Sequence, residues 1–203
     1  MKSKPSIWLR IVSLLPDGPW IWSVKASQLV SKGEYKDGRQ HGPWEMYYEN
    51  GQLEFKGHYQ EGRRHGPWEM FYDTGQIKIK GNSRFGRPHG TFERFYENGR
   101  LSERSICRGG EQHGPYEKFH KNGQLEERGT CNNGFKKGIQ ENYYENGQLR
   151  SRGNYIEGSM DGPWEFYYDN GQLGKKENYT DGLLDGLWQY FDENGQLKEQ
   201  RNY

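Results

Sequence analysis

The sequence contains few aliphatic side chains. Leu, Ile, Val and Phe together account for 33 of the 203 residues, a share that is typical of disordered chains. Disorder also requires a high net charge and few aromatic residues. This chain instead has a net charge of +1 and carries 15 Tyr, 9 Phe and 7 Trp. We therefore expect a folded protein that buries aromatic rings, which argues against a conventional two-layer core.

Other absences exclude whole classes of function. A nearly neutral chain lacks the basic footprint of a nucleic-acid-binding protein. No apolar run in the sequence is long enough to span a bilayer. The sequence also has no Gly-x-Ser-x-Gly motif, no phosphate-binding glycine loop before a helix and no His-Glu-x-x-His motif. We therefore expect neither catalysis nor a bound cofactor.

The first 17 residues hold the only aliphatic cluster near the start of the chain. Lys2 and Lys4 precede this cluster, as in a signal peptide. Arg10 interrupts the apolar run, however, and no small-x-small cleavage pattern follows it. We expect residues 1–17 to form an apolar cap on the fold, with a targeting segment and secretion as the alternative.

A repeat with a constant period organises the rest of the chain. The pattern that begins with Gly-Pro-Trp at Gly42 and Gly66 recurs every 24 residues without an insertion. It divides the chain into eight repeats: 18–41, 42–65, 66–89, 90–113, 114–137, 138–161, 162–185 and 186–203. A fixed period of this length indicates a repeat protein in which each unit packs on its neighbours.

An Asn-Gly pair in most repeats predicts a β-hairpin. The pairs are Asn50-Gly51, Asn98-Gly99, Asn122-Gly123, Asn146-Gly147, Asn170-Gly171 and Asn194-Gly195. Asn-Gly is the preferred pair for a two-residue type I′ turn between antiparallel strands. Such a turn would place Tyr48 opposite Leu53 and Met46 opposite Phe55.

The predicted register can be tested within the sequence, because facing side chains should be complementary. Glu45 would face Lys56, and the same two positions hold an acid and a base in the next five repeats. The Met46 and Phe55 positions become Arg94 and Glu103, and then Lys118 and Glu127, so both members change character together. A slip of one residue would destroy both patterns.

These hairpins predict an all-β fold, an elongated single-layer antiparallel meander with two strands in each repeat. One face would carry Trp44, Met46 and Phe55, and Trp44 would lie opposite Gly57 as a ring covering a cross-strand glycine. A second turn, from Gln60 to Gly66, would link one hairpin to the next. The Trp44 position defines a structural aromatic ladder: Trp20, Trp44, Trp68, Phe92, Tyr116, Trp164 and Trp188.

The segment from Phe55 to Gly66 resembles the core of the MORN repeat family, aromatic-x-Gly-x-aromatic-x-x-Gly-x-x-His-Gly. The Glu-Asn-Gly-Gln-Leu turn is similar to that of a bacterial subfamily of variant MORN repeats described as antitoxin-like. The resemblance covers residues 18–203 and implies the repeat fold. It leaves the function open, because such arrays occur as scaffolds, as lipid-associated modules and as appendages to enzymes.

Two recurring residue types invite a chemical interpretation that the repeat geometry opposes. One slot in consecutive repeats holds His41, His65, His89 and His113, which would separate neighbouring members by about 9.5 Å. Two ligands of one zinc ion lie within about 4 Å of each other, so we expect turn residues and no metal site. Cys107 and Cys131 likewise share a slot, too far apart for a disulfide, and free thiols favour a reducing cytoplasm.

The middle repeats replace ladder aromatics with polar residues, and this change marks our candidate contact region. Its residues are Arg94, Glu103, Lys118, His120, Glu127, Gln140 and Asn142. We expect a non-catalytic interaction or scaffold module, antitoxin-like or an immunity protein, that binds another protein through its aromatic face.

The sequence also allows two other kinds of ligand and one kind of oligomer. Binding of membrane phospholipid is the first alternative, opposed by in-register glutamates that cancel most Lys and Arg. Binding of glycan or cell wall on stacked aromatics is the second, and it would require export. A homodimer through the C-terminal repeats is expected, because the edge strand of a sheet is prone to pair with another strand.

Overall fold

The computed structural model describes residues 18–25 and 28–203, with side chains from residue 31 onward. These residues form seventeen β-strands in one sheet, without a helix. The strands are β1 (Gly18–Lys25), β2 (Gln28–Lys36), β3 (Arg39–Tyr47), β4 (Leu53–Gln60), β5 (Arg63–Phe71), β6 (Ile77–Arg84), β7 (Arg87–Phe95), β8 (Leu101–Arg108), β9 (Glu111–Phe119), β10 (Leu125–Asn132), β11 (Phe135–Tyr143), β12 (Leu149–Ile156), β13 (Ser159–Tyr167), β14 (Leu173–Thr180), β15 (Leu183–Leu184), β16 (Leu187–Phe191) and β17 (Leu197–Asn202). The predicted cap at residues 1–17 lies outside the described residues.

Strands that are consecutive in the chain pair with each other in antiparallel fashion. Strands β15 and β16 are two pieces of one row, because both pair with β14. The described sheet is therefore sixteen strands wide, two strands for each repeat. The predicted all-β, single-layer antiparallel meander is confirmed.

The hairpin register is the predicted one over most of its length. Met46 lies opposite Phe55, Glu45 opposite Lys56 and Trp44 opposite Gly57. The register then shifts between Met46 and Tyr47, so that Tyr47 rather than Tyr48 pairs with Leu53. The predicted pairing of Tyr48 with Leu53 is therefore wrong.

The cause of this shift is the Asn-Gly turn, which is not a two-residue type I′ turn. The Gly51 amide donates to the Tyr48 carbonyl at 2.9 Å, and the Tyr48 amide donates to the Gln52 carbonyl at 2.8 Å. Of the loop residues 49–51, only Gly51 has a positive φ, of 82°. The loop is thus the three-residue type, a type I turn followed by a left-handed glycine in a bulge.

Type I′ turns occur instead at the linking turns, the two-residue turns between one hairpin and the next. Glu61 and Gly62 both have positive φ, of 51° and 76°, as the type I′ turn requires. Gln60 pairs directly with Arg63 across this turn. The predicted long link from Gln60 to Gly66 is therefore a tight turn, and residues 63–66 belong to β5.

A bulge at the Gly-Pro pair recurs in the repeats. Gly33 pairs with Trp44 while the next residue, Glu34, pairs with His41, so Gly42 and Pro43 are extra on β3. Gly42 has a φ of 70°, a conformation that favours glycine. Pro43 has no amide hydrogen to donate, and a bulge tolerates this. The Gly-Pro pair therefore marks the bulge, not a turn.

Side chains of the Asn-Gly loop join each repeat to the next. The Tyr48 hydroxyl donates to the Phe71 carbonyl at 2.7 Å, and Asn50 Nδ2 donates to the Asp73 carbonyl at 2.8 Å. Equivalent bonds recur along the array. At the linking turns, the Gly62 amide donates to the Gln40 carbonyl at 2.9 Å. Hydrogen bonds thus connect neighbouring repeats at both margins of the sheet.

The ladder rings cover glycines, but Trp44 and Trp164 do so in the direction opposite to the predicted one. A Cβ atom built on Gly33 would lie 2.3 Å from two carbons of the Trp44 ring. One built on Gly57 would instead meet Phe55 Cζ at 2.7 Å and Trp68 Cβ at 2.9 Å. The rings of Trp44 and Trp164 therefore lie on the glycine of the strand before them, Gly33 and Gly153, and bury part of the preceding repeat, whereas the Trp68 ring lies nearest to Gly81 of the following strand.

We expect Gly153→Ala to lower the free energy of unfolding by about 1–3 kcal/mol, because a Cβ there would overpack the interface. That atom would lie 2.1 Å from the Trp164 ring. Gly81→Ala is the matched control, since its Cβ would lie 3.3 Å from Trp68. Urea unfolding of the two variants tests this, and equal losses would contradict it.

Candidate functional site

The aromatic face is closed by its own packing in the first repeats. Trp44, Phe55 and Trp68 are buried and form the core cluster. The Trp44 ring contacts Tyr35 edge to face at 5.3 Å, and Trp164 contacts Tyr155 at the same distance. The side chain of Trp20 lies outside the described residues. Because these rings cover one another, little flat ring surface is left for a glycan to stack on.

The middle repeats replace this apolar packing with a network of charged and polar side chains on the same face. We call it the central polar cluster. Its members are Arg94, Glu103, Gln112, Tyr116, Lys118, Glu127, Lys136 and Gln140.

Glu127 is the buried centre of the cluster. Lys118 Nζ donates to its Oε2 at 2.7 Å, while Lys136 Nζ and the Tyr116 hydroxyl donate to its Oε1 at 2.5 and 2.7 Å. Burial raises the pKa of Glu127, but these hydrogen bonds outweigh burial and lower the pKa to about 2. Burial and the bond to Glu127 together raise the pKa of Tyr116. At neutral pH the Glu127 carboxylate is therefore ionised, and it accepts hydrogen bonds from a neutral Tyr116 phenol and from the two lysines.

Gln140 occupies the position of a ladder tryptophan and is completely buried. Its Oε1 lies 2.6 Å from the Tyr116 hydroxyl, and its Nε2 donates to the Thr130 carbonyl at 3.1 Å. A Cβ built on Gly129 would lie 1.7 Å from Gln140 Oε1. Gln140 thus covers the preceding glycine as a tryptophan does, but it adds an amide to the polar network.

The cluster continues toward the preceding repeat. Arg94 Nε lies 3.6 Å from Glu103 Oε2, and Gln112 Nε2 donates to Glu103 Oε1 at 2.9 Å. The Cys131 thiol lies 3.7 Å from Gln112 Oε1. Cys107 and Cys131 are free and buried, and burial raises the pKa of both thiols. Both therefore remain protonated and weakly nucleophilic at neutral pH.

The structure groups five of the seven predicted contact residues in this cluster. Asn142 lies opposite Glu127 on the neighbouring strand but donates to Ser151 Oγ at 3.0 Å. His120 takes the place of the loop tyrosine, and its Nε2 lies 2.9 Å from the Tyr143 carbonyl. His120 therefore joins neighbouring repeats, and the acceptor carbonyl requires a proton on Nε2.

Three cluster members were absent from the predicted contact region: Gln112, Lys136 and Tyr116, the last of which was predicted as part of the aromatic ladder. Lys136 looked like part of a flexible link, but β11 begins at Phe135 and Lys136 pairs with Cys131, on the aromatic face. Gln112 likewise lies in β9, opposite Cys107. The sequence indicated the contact of Lys118 with Glu127, because the two residues face each other in the predicted hairpin. It did not indicate the contact of Lys136 with Glu127, because that contact depends on the tight linking turn.

The opposite face carries an ion-pair ladder that runs across the repeats. Lys56 Nζ lies 2.7 Å from Glu69, a residue of the next repeat, although Glu45 lies opposite Lys56 in its own hairpin. Arg104 Nε lies 3.0 Å from Glu93, and its Nη1 lies 3.8 Å from Glu117. Each base therefore lies between the glutamates of two repeats, which neutralises most of the charge on this face.

The margin formed by the linking turns is different, because its bases form no salt bridge in the part of the chain that the structure describes. Arg39, Arg63, Arg87, Arg108 and Lys137 are exposed there, although Arg108 lies opposite Glu111, and Glu61 lies with Arg39 and Arg63 around one depression. The same margin exposes the side chains of two phenylalanines, Phe85 and Phe135, by 62% each. The expected cancellation of bases by glutamates thus holds on the charged face but not at this margin.

The last repeats expose leucines. Leu183 is 74% exposed, and Leu187 and Leu197 are 46% and 49% exposed. The sequence placed a homodimer contact in these repeats, and that contact stays a prediction.

Within the described residues, no three or more His, Cys, Asp or Glu side chains are grouped so that they could hold a metal ion. No helix in the same part of the chain has the length and apolar character needed to cross a membrane.

A single sheet of tandem hairpins, with one ring-packed face and one ion-paired face, defines a β-hairpin repeat protein. Comparison with protein families assigns the chain more closely. The MORN repeat variant family matches residues 40–61, 64–84, 88–105, 112–133, 136–157, 160–181 and 184–203, and the chain belongs to this family. MORN repeats are generally non-enzymatic and bind proteins or lipids. No curated protein matches the chain.

We expect Glu127→Gln to make stability less dependent on pH. A carboxyl group has an ordinary pKa of about 4.3, so the lowered pKa of Glu127 stabilises the fold above that value. This stabilisation is lost as the pH falls through about 2. The difference in unfolding free energy between wild type and variant should shrink by on the order of 3 kcal/mol from neutral pH to about pH 2.

Urea unfolding at several pH values measures this difference. Glu97→Gln, at an exposed turn position, controls for the loss of one carboxylate. A difference between wild type and Glu127→Gln that stays constant with pH would contradict the role of the buried carboxylate.

Proposed function

We propose that this protein is a non-catalytic protein-binding module whose contact patch is the exposed rim of the central polar cluster. The observation that supports the proposal is the buried Glu127 between Lys118 and Lys136, in the repeats where the ladder position is held by Gln140 rather than by a ring. Replacing a buried ionic network with apolar packing is often neutral or stabilising. The replacement of packed rings by a buried ionic network is expected at functional positions.

The rim offers charged groups that a partner can reach. The side chains of Arg94, Lys118 and Lys136 are 51%, 43% and 35% exposed, whereas that of Glu127 is only 9% exposed. The face presented to solvent is therefore cationic, with the compensating carboxylate beneath it. We infer a partner with an acidic contact surface. Neutralisation of a toxin is the particular form of this function that the resemblance to antitoxin-like repeats favours.

The patch can be tested by affinity capture from the native host's lysate. We expect one stoichiometric partner for the wild type and its loss with the double variant Arg94→Ala and Lys118→Ala. Lys78→Ala with Arg150→Ala is the matched control, since it also removes one Lys and one Arg, here lying over Tyr72 and Tyr144. Hydrogen exchange of the complex should show added protection in β7 to β11.

Unchanged capture by the Arg94 and Lys118 variant, at an unchanged melting temperature, would remove the patch from the proposal. A loss that is equal in the control variant would indicate general electrostatic attraction rather than a defined patch.

Binding to anionic membrane lipid is the second candidate, and the unpaired basic margin favours it. A basic residue near an anionic leaflet contributes about 1 kcal/mol, so the five free bases are sufficient for a salt-dependent association. The exposed Phe85 and Phe135 lie on the same margin, where aromatic side chains can enter the interfacial region of a bilayer.

Flotation with phosphatidylserine vesicles tests this candidate. We expect the wild type to float at low salt and less at physiological salt, because salt screens the attraction. Arg63→Glu with Arg87→Glu should abolish flotation, while Lys78→Glu with Arg150→Glu should leave it unchanged. Absence of flotation by the wild type at low salt would exclude the candidate.

A further inference from the structure

The central polar cluster contains the same three positions twice, in consecutive repeats. We call the two sets the first trio and the second trio. In each trio, a glutamate on one strand contacts a side chain from each of the two neighbouring strands. The first trio is Arg94, Glu103 and Gln112, and the second trio is Lys118, Glu127 and Lys136.

The first trio is balanced in charge. Arg94 Nε lies 3.6 Å from Glu103 Oε2, and the uncharged Gln112 donates to Glu103 Oε1 through Nε2 at 2.9 Å. One base and one carboxylate cancel, so the first trio has no formal net charge. At this position an amide therefore serves as the second hydrogen-bond donor to the glutamate.

The second trio has one unbalanced positive charge. Lys118 Nζ donates to Glu127 Oε2 at 2.7 Å, and Lys136 Nζ donates to Glu127 Oε1 at 2.5 Å. Two lysines therefore surround one carboxylate, and Tyr116, which also donates to Glu127, adds no charge. Because Gln112 holds the position of Lys136 in the first trio, a second lysine is not needed to neutralise the glutamate.

The two lysines are accessible, and their positions are restrained. The side chains of Lys118 and Lys136 are 43% and 35% exposed, whereas that of Glu127 is 9% exposed. Lys118 Nζ lies 5.7 Å from the centroid of the Tyr116 ring, and Lys136 Nζ lies 5.3 Å from that of Tyr155. Cation–π contacts of this kind hold the side chains in place. Less conformational entropy is then lost when a ligand binds.

The lysines also retain donors for a ligand. A lysine has three N–H donors, and the hydrogen bond to Glu127 uses one on each lysine. Because both Nζ atoms contact one carboxylate, a second carboxylate can bridge them on the exposed side through charge-assisted hydrogen bonds. A single carboxylate would balance the charge of the second trio, whereas a dianion such as phosphate would exceed it.

From this comparison we infer that the second trio binds one carboxylate of the partner protein, which bridges Lys118 and Lys136 over the buried Glu127. The inference rests on the proposed function, because it names the group that the acidic partner places on the contact patch. The carboxylate belongs to an acidic side chain or to a chain terminus of the partner. The first trio, which is neutral, binds none.

NMR titration of the full chain with acetate, at an ionic strength held constant with chloride, tests the inference without the partner. We expect saturable shifts of the Nζ resonances of Lys118 and Lys136 with one common affinity. Lys78, which lies over the ring of Tyr72, should show no such shift. Lys136→Gln gives the second trio an amide like that of the first, and it should weaken acetate binding by about tenfold or more. Lys78→Gln is the matched control and should bind acetate like the wild type.

Two further variants change the charge of one trio. Gln112→Lys should give the first trio the charge of the second and create a second acetate site. Glu127→Gln should raise the affinity for malonate, a dianion, relative to that for acetate by about tenfold, because two positive charges are then unbalanced. The melting temperature of each variant verifies that it is folded, and Gln112→Lys provides a test that does not remove the buried carboxylate.

Two short peptides distinguish the sources of the carboxylate. An acetylated and amidated Gly-Glu-Gly peptide carries only a side-chain carboxylate. An acetylated Gly-Gln-Gly peptide with a free C-terminus carries only a terminal one. Tighter binding of the first would assign the site to an acidic side chain of the partner, and tighter binding of the second would assign it to a chain terminus.

Several results would overturn the inference. Absence of acetate binding by the wild type, combined with partner capture that depends on Arg94 and Lys118, would reject the carboxylate site and leave the proposed function intact. Acetate binding without any captured partner would reject the protein-binding function instead. Equal weakening by Lys136→Gln and Lys78→Gln would show general electrostatic attraction, and tighter binding of phosphate than of acetate by the wild type would replace the carboxylate with a dianion.

Discussion

A sheet with only one layer must obtain its burial from neighbours within the layer, and this constraint shapes the whole molecule. The rings of Trp44 and Trp164 lie on the glycine of the preceding strand, so these repeats bury part of the repeat before them. The loop tyrosine and asparagine add hydrogen bonds to backbone carbonyls of the next repeat. Stability in such an array is therefore a sum of contacts between nearest neighbours.

The same constraint explains the composition. Large flat rings cover much area from a single side, whereas a branched aliphatic side chain needs partners all around it. Lys and Arg serve a similar purpose on the other face, where their cationic groups lie over rings such as Phe71 and Tyr143 and pair with glutamates. Both faces are thus covered without a second layer of secondary structure.

The central polar cluster is not packed by aromatic rings in this way. Gln140 keeps the position of a ladder ring and covers Gly129 as a ring would, so the geometry of the repeat survives. The chemistry does not, because Tyr116 and Glu127 now need donors and acceptors that are satisfied together. A network of this kind is sensitive to the loss of any member. The packing of the middle repeats is therefore chemically distinct from that of the first ones, and a smaller polar site follows at the buried Glu177, which contacts Lys175, Tyr179 and Trp188.

Sequence reasoning succeeded where neighbouring side chains constrain each other. The change of Met46 and Phe55 into Arg94 and Glu103 could be read only in one register, and the structure has that register. It failed at the turns, because Asn-Gly and Glu-Gly both supply a residue that tolerates a positive φ. The twist and bulges of the strands at each margin decide which turn forms. The sequence pattern did not reveal that Gly42 and Pro43 bulge from β3.

The sequence by itself determined the period, the hairpin pairing, the two faces and the polar middle of the array, because these follow from alternation and from complementary neighbours. Tertiary structure decided the turn types, the side from which a ring covers a glycine, and the meeting of Lys136 with Glu127. It also decided that the linking turns gather unpaired bases along one margin. These features depend on how separate repeats stack. Distances between repeats are set by backbone geometry, and the residue pattern within one repeat does not predict them.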